Sequence, residues 1–232
     1  MQRRPRLAGF GHSSSRFPAQ RGTCLLRQLS ASWKPTLSGA EGQEQTADNY
    51  IERRTMLKGK LCTLRHMQAQ DLDKYLQLVN NLEARGPYFP ALLKPPELVK
   101  KEFYETGFVT DEMERMLILD QDDNIVGDIG NFRVRSKHTR EIGFILFEQA
   151  ARGRGYTSEA TRLLSDYLFR AYHHIQRLEL IMATENAGSE RVAQKCGFSK
   201  EGVMRQQLYM NGRYHDSYLY SLLRSDWEAN RE

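Results

Sequence analysis

The stretch Arg152-Gly153-Arg154-Gly155-Tyr156 constrains this chain more than any other. It lies between an apolar strand candidate, Ile142 to Phe147, and a long amphipathic helix that starts near Ser158. That helix carries Ala160, Leu163, Leu164, Tyr167, Leu168 and Ala171 at helical spacing and runs to about Tyr172. A glycine turn feeding a helix N-terminus can hold an anion. Backbone N–H groups converge there, the helix dipole presents positive charge, and glycine lets a ligand approach the main chain. Two flanking arginines suit a pyrophosphate, while an ordinary solvated Arg-Gly turn is the competing reading. The Lys-Ser/Thr ending of a P-loop is missing, and Ser158 stands where a dinucleotide fingerprint needs its third glycine.

The charge distribution narrows the partners. The chain has 232 residues and a formal net charge of +5. Residues 1–54 hold nine basic and four acidic residues, which accounts for the whole excess; residues 55–232 hold 25 of each. A basic nucleic-acid-binding face is therefore not expected. No apolar run approaches the ~20 residues of a membrane-spanning helix, so no membrane partner is expected either. Cys24, Cys62 and Cys196 are too few and too far apart for a disulfide framework or a zinc pattern, and no metal site is expected. This cysteine usage fits a reducing compartment, and we expect a cytoplasmic protein, monomeric or homodimeric. Residues 1–54 read as a disordered basic extension, with three origins open: a tail, a region upstream of a start at Met56, or a transit-like segment that would imply a mitochondrial location.

The folded domain is expected over 55–232. Leu61 to His66 reads as a strand and Asp71 to Leu82 as a helix. Gly86 to Pro90 and Pro95-Pro96 mark a loop, and Pro96 opens a second helix to about Tyr104. A meander follows: Met116 to Leu119, Ile125 to Val134 and Arg140 to Phe147. Beyond the long helix come a strand at Leu178 to Met182 and a helix from Ala187 to Cys196 stopped by Gly197. A hairpin, Gly202 to Met210 and Tyr214 to Leu223, turns at Asn211-Gly212. The order βααβββαβαββ implies an α/β or α+β fold: a mixed sheet with helices on both faces.

Three elements together resemble the GNAT superfamily of acyl-CoA-dependent N-acetyltransferases. Arg152-Gly153-Arg154-Gly155-Tyr156-Thr157 is similar to the family's Q/R-x-x-G-x-G/A turn, and Ser158-Glu159-Ala160 to its T-E-A. Asn186-Ala187-Gly188-Ser189, with Lys195-Cys196-Gly197-Phe198, resembles the N-x-x-S…K-x-G-F stretch of the last helix. The hairpin with Asn211-Gly212-Arg213 and Asp216 resembles the Rim-type branch, which includes ribosomal-protein N-terminal acetyltransferases. The resemblance covers about Met56 to Trp227 and departs at Thr157, where a branched residue replaces Gly or Ala and crowds the phosphate.

The resemblance implies a mostly antiparallel sheet with one splayed parallel strand pair and an acetyl-CoA cosubstrate. Its pyrophosphate would bind Arg152, Gly153, Arg154, Gly155, Tyr156 and Thr157. Its pantetheine would pair with Leu146 and Phe147 as an added strand, and Asn186 and Ser189 would face the sulfur end. Helix capping competes for Asn186 and Ser189.

Acetyl transfer to an amine needs a neutral nucleophile. A lysine-type amine is neutral in about one molecule in 2,500 at pH 7, an α-amine in roughly 10–15%, a difference of about 3 kcal/mol. We expect Glu141 as base, with a solvated pairing to Arg140 or Lys137 as the competing role. A backbone N–H near Phe147 is expected to polarise the thioester carbonyl. The resemblance gives Ser189 the role of proton donor to the leaving thiolate, and Tyr209 and Tyr218 are weaker candidates. Tyr88, Phe89, Tyr104 and Phe132 could line the acceptor pocket, as could Tyr209 on the hairpin. The expected acceptor is a protein or peptide N-terminal amine. A small amine (amino acid, polyamine, antibiotic) is the alternative, and a non-catalytic CoA-binding sensor the alternative from another class.

Overall fold

The computed structural model describes residues 56–230, so the expectations for residues 1–54 lie outside the described residues. The chain builds an eight-stranded sheet. Its strands are β1 (Met56–Lys58), β2 (Thr63–His66), β3 (Met113–Leu119), β4 (Ile125–Arg133), β5 (Thr139–Leu146), β6 (Arg177–Ala183), β7 (Ser199–Met210) and β8 (Arg213–Leu223). They lie in the order β1-β2-β3-β4-β5-β6-β8-β7. Every neighbouring pair is antiparallel except β5 and β6, which run parallel. That pair is joined only over Thr139–Glu141 against Arg177–Glu179. Beyond Glu141 the ladder stops, and the two strands part into a V.

Helices cover both faces. Period-two alternation sends Met116, Ile118, Ile129 and Ile142 to one side, where they pack on Ala160, Leu164, Leu168 and Phe169 of α4 (Tyr156–Ala171) and Ala193 of α5 (Ala187–Lys195). The other side carries Leu117, Leu119, Ile145 and Phe147. These meet Leu72, Tyr75, Leu76 and Val79 of α1 (Leu72–Val79) and Val99 of α3 (Pro96–Thr106). Strand β5 thus feeds two cores from alternate residues.

The structure adds elements that periodicity did not signal. These are three-residue β1, one-turn α2 (Leu82–Arg85) and closing α6 (Arg224–Ala229). Each is too short to show a period. Non-local bonds hold two of the regions concerned. Glu159 accepts the N–H groups of Lys60, Leu61 and Cys62 at 2.7–2.8 Å, fixing the β1–β2 turn on α4. Arg224 donates to the carbonyls of Phe169, Tyr172 and Ile175, closing the far end of α4. Strand β3 begins at Met113, three residues earlier than expected, because its first polar residues are bonded rather than solvated. Glu114 is buried against His66 Nε2 at 2.8 Å and Asn131 Nδ2 at 3.2 Å, and Arg115 pairs with Asp128 at 2.9 Å. In the last hairpin, Arg205 to Gln207 bulge opposite Asp216, whose Oδ1 accepts the Gln206 N–H at 2.9 Å.

Candidate active site

Helix α4 begins at Tyr156, two residues before the expected start, because Gly155 takes the cap position with φ 92°. A residue with a Cβ is strained there. The first N–H inside the helix to find a partner is that of Glu159, bonded to the Gly155 carbonyl at 3.0 Å. The amides of Tyr156, Thr157 and Ser158 belong to the open first turn. Together with Gly153 at φ 75°, they make a cradle suited to an anion at the positive end of a four-turn helix.

A cavity of about 530 Å³ lies at this cradle, in the opening of the V. Phe144, Ile145 and Leu146 form its β5 wall; Arg152, Gly153, Gly155, Tyr156 and Thr157 form its floor. Asn186, Gly188, Ser189, Arg191, Val192 and Lys195 line the α5 side, and Arg85 to Phe89 the side opposite. Its charged lining residues are Arg85, Arg152, Arg191 and Lys195, and none of the described lining residues is a carboxylate.

The main chain of β5 is poised for an extra strand. Phe147 N–H donates to the Val126 carbonyl at 3.0 Å, and Leu146 stands opposite Gly127. Antiparallel ladders alternate, so the N–H and C=O of Phe144 and Leu146 point away from β4 into the opening toward β6. This corrects the expectation for Phe147. Its ring is fully buried in the second core against Tyr75, at 5.8 Å between ring centroids, and its amide is spent in the ladder. Leu146 supplies the amide that faces the slot.

The other expected residues divide. Asn186 and Ser189 both line the cavity, and Asn186 also caps α5, its Oδ1 accepting the Ser189 N–H at 3.1 Å. Arg154 is exposed and does not line the cavity. Thr157 lines it while buried at the second position of the helix. Tyr88 and Phe89 line it too, and Tyr88 Oη donates to the Glu185 carbonyl at 2.8 Å. Phe132 is not a lining residue. Its ring lies over Gly143, 3.1 Å from where a Cβ would stand, and it faces Glu141 across the ladder. Tyr104 and Tyr209 are exposed and off the cavity; Tyr209 meets the Tyr214 ring at a tilt at the hairpin tip. Tyr218 packs on the first core beneath the Lys200 ammonium.

Glu141 occupies the vertex, at the last paired position before β5 and β6 part. It does not line the cavity. Burial pushes its carboxyl above the ordinary glutamate value, partly offset by the guanidinium of Arg135. The nearby cation is thus neither Arg140, which donates to the Glu112 carbonyl, nor Lys137. Arg191 and Lys195 went unread as site residues. Their signal was the four-residue spacing that sets both on one face of α5.

A sequence model of the acetyltransferase (GNAT) domain matches residues 62–199. The chain belongs to this family. The protein named "Probable N-acetyltransferase YjcK" of Bacillus subtilis (strain 168) is 28% identical over 184 residues, 75% of this chain and 99% of its own length. Among solved structures, the ribosomal alpha-N-protein acetyltransferase RimL in complex with coenzyme A is similar at TM-score 0.63 and 22% identity, over 72% of this chain and 97% of its own. Spermidine N-acetyltransferase from Vibrio cholerae, in complex with CoA and spermine, is similar at TM-score 0.63 and 21% identity, over 73% and 99%. These two likenesses show the fold. The chain is an N-acetyltransferase, and the enzymes of its family take the acetyl group from acetyl-CoA. The cradle, the slot-facing amides and the cations on α5 suit that cosubstrate. Among the described residues no helix is long and apolar enough to cross a membrane, and no group of His, Cys, Asp or Glu is arranged to hold a metal.

Proposed function

We propose that this acetyltransferase acetylates a protein or peptide N-terminal α-amine by direct attack on the thioester. The observation that carries this reading is the cavity wall: four cations and no carboxylate among its described lining residues. Arg152, Arg191 and Lys195 suit the phosphates of acetyl-CoA. The acceptor end, at Arg85, Tyr88 and Phe89, then offers nothing to a second ammonium, so a polyamine finds no counter-charge there. An α-amine also needs about 3 kcal/mol less help to become neutral than a lysine-type amine.

In this reading the amine nitrogen attacks the thioester carbon while the Leu146 N–H donates to the carbonyl oxygen. The amine's proton passes through water to Glu141, whose raised basicity suits the task. The C–S bond breaks, and Ser189 passes its hydroxyl proton to the departing thiolate while taking a proton from water in its place. A small amine is the second reading, favoured by the spermidine acetyltransferase of Escherichia coli (strain K12), 26% identical over 158 residues. Cys62 and Cys196 are free thiols, which supports a cytoplasmic location.

The test is a thiol-release assay with acetyl-CoA against a library of free N-terminal peptides and against spermidine, products read by mass spectrometry. We expect peptide acetylation at the α-nitrogen with the higher kcat/KM. Faster turnover of spermidine than of every peptide would overturn the reading.

A further inference from the structure

Residues 81–93 form an Ω loop whose ends are clasped. Asn80 Oδ1 accepts the Lys94 N–H at 2.7 Å, and Asn80 Nδ2 donates back to the Lys94 carbonyl at 3.0 Å. Inside the loop, Asn81 caps α2 through the Ala84 N–H, and Arg85 Nη1 donates to the Leu92 carbonyl at 3.0 Å. Its segment Arg85 to Phe89 is the cavity wall facing away from α5. Three side-chain hydrogen bonds tie this loop to three other regions. Tyr88 Oη reaches the Glu185 carbonyl, beside the cap of α5. Asn211 Nδ2, at the hairpin tip, donates to the Pro87 carbonyl at 3.1 Å. Arg152 Nη2 donates to the Ala84 carbonyl at 2.6 Å.

The third bond differs in kind, because Arg152 opens the glycine turn. Its guanidinium lies against the backbone of Gly86, with Nη2 and Nη1 2.9 and 3.3 Å from where a Cβ would stand. Only glycine permits that approach at φ 81°. A guanidinium has five N–H donors in a planar fork, and the Ala84 carbonyl takes one of them.

We propose that Arg152 is a positioning residue for the acceptor wall, bridging the cofactor's pyrophosphate and the Ω loop with one guanidinium. Acetyl-CoA binding then steadies the surface that receives the amine. This rests on the reading of the turn as the pyrophosphate cradle. By linkage the effect is reciprocal: an acceptor seated against the loop tightens cofactor binding by the same factor. A lysine keeps the charge but donates from a single point and lacks the fork.

Hydrogen exchange of backbone amides tests the proposal without knowledge of the acceptor. Two segments are followed, the loop at 81–93 and strand β5 at 140–147, with CoA or with pantetheine, which lacks the pyrophosphate. We expect saturating CoA to slow exchange in both segments, in the loop by about tenfold, within the usual range of coupling. Pantetheine should protect the strand alone. In Arg152→Lys at saturating CoA, the strand should stay protected and the loop gain nothing. Loop protection equal in Arg152→Lys and the unmodified enzyme would overturn the bridge. So would equal loop protection by pantetheine, or a protected strand beside an unprotected loop; in all three cases the cofactor reading stands. No protection by CoA in either segment would sink the cradle reading, and this proposal with it.

Discussion

At the scale of single residues, Glu141 carries two opposed consequences of one location. Burial raises its carboxyl above the ordinary range, which makes it a better base and a worse buried charge. A folded-state value above the unfolded one means that the ionised form weakens the fold as pH rises through it. Glu141→Gln should therefore melt higher than the unmodified enzyme at pH 8, and the gap should close by pH 4; a lower melting point at pH 8 would contradict this. The same variant should lose about 10²–10⁴-fold in kcat/KM together with the acid limb of the pH profile. Retention of that limb would remove Glu141 as base. Ser189 has a different signature. Ser189→Ala should lower kcat while the dissociation constant of CoA, measured calorimetrically, moves little; the reverse pattern would make it a binding residue. Where sequence reading failed at this scale, the reason is geometric. Alternation along β5 assigns side chains to faces, so Glu141, Gly143, Ile145 and Phe147 share one. It does not reveal which edge a main-chain N–H uses, and only the register with β4 shows that Leu146, not Phe147, faces the slot.

At the scale of elements, long periodic segments were legible and short ones were not. Helix α4 and the meander announced themselves by spacing, and Asn211-Gly212 by the positive φ both residues adopt. The β1–β2 turn depends instead on a residue about a hundred positions away. Glu159 gathers three backbone N–H groups into one carboxylate, and nothing local in Lys58 to Leu61 signals that partner. Burial tends to raise this carboxyl, but the three N–H donors outweigh it and hold it below the ordinary glutamate value. A depressed folded value contributes stability above the unfolded value near 4.3 and loses it as pH falls. Glu159→Ala should thus cost about 1–2 kcal/mol at pH 7, since the site is partly solvated. That cost should shrink toward zero below pH 4, as read by urea titration at the two pH values. A pH-independent loss would mean that the side chain acts by packing rather than as a hydrogen-bonded carboxylate.

At the scale of the whole molecule, the site depends on one strand shared by two cores. Ile142 anchors β5 to the layer of α4 and α5, while Ile145 and Phe147 anchor it to the layer of α1 and α3. Between those anchors, Phe144 and Leu146 are held with their main chain turned toward the opening, although no strand pairs with them there. Packing on both faces thus substitutes for the missing ladder and keeps the V open. Phe147→Ala removes the last anchor on the second face without touching a cavity-lining side chain. Truncating a fully buried phenylalanine costs about 3–5 kcal/mol, so the urea midpoint should fall with the m-value unchanged. CoA affinity should fall as well, because the Leu146 amide loses its fixed direction. Val203→Ala, on the exposed β7, should change stability by no more than about 0.5 kcal/mol and leave CoA binding alone. If Phe147→Ala destabilises the fold while CoA affinity, measured well below the unfolding transition, stays the same, the slot is held by the turn alone. The two-core argument for it would then be wrong.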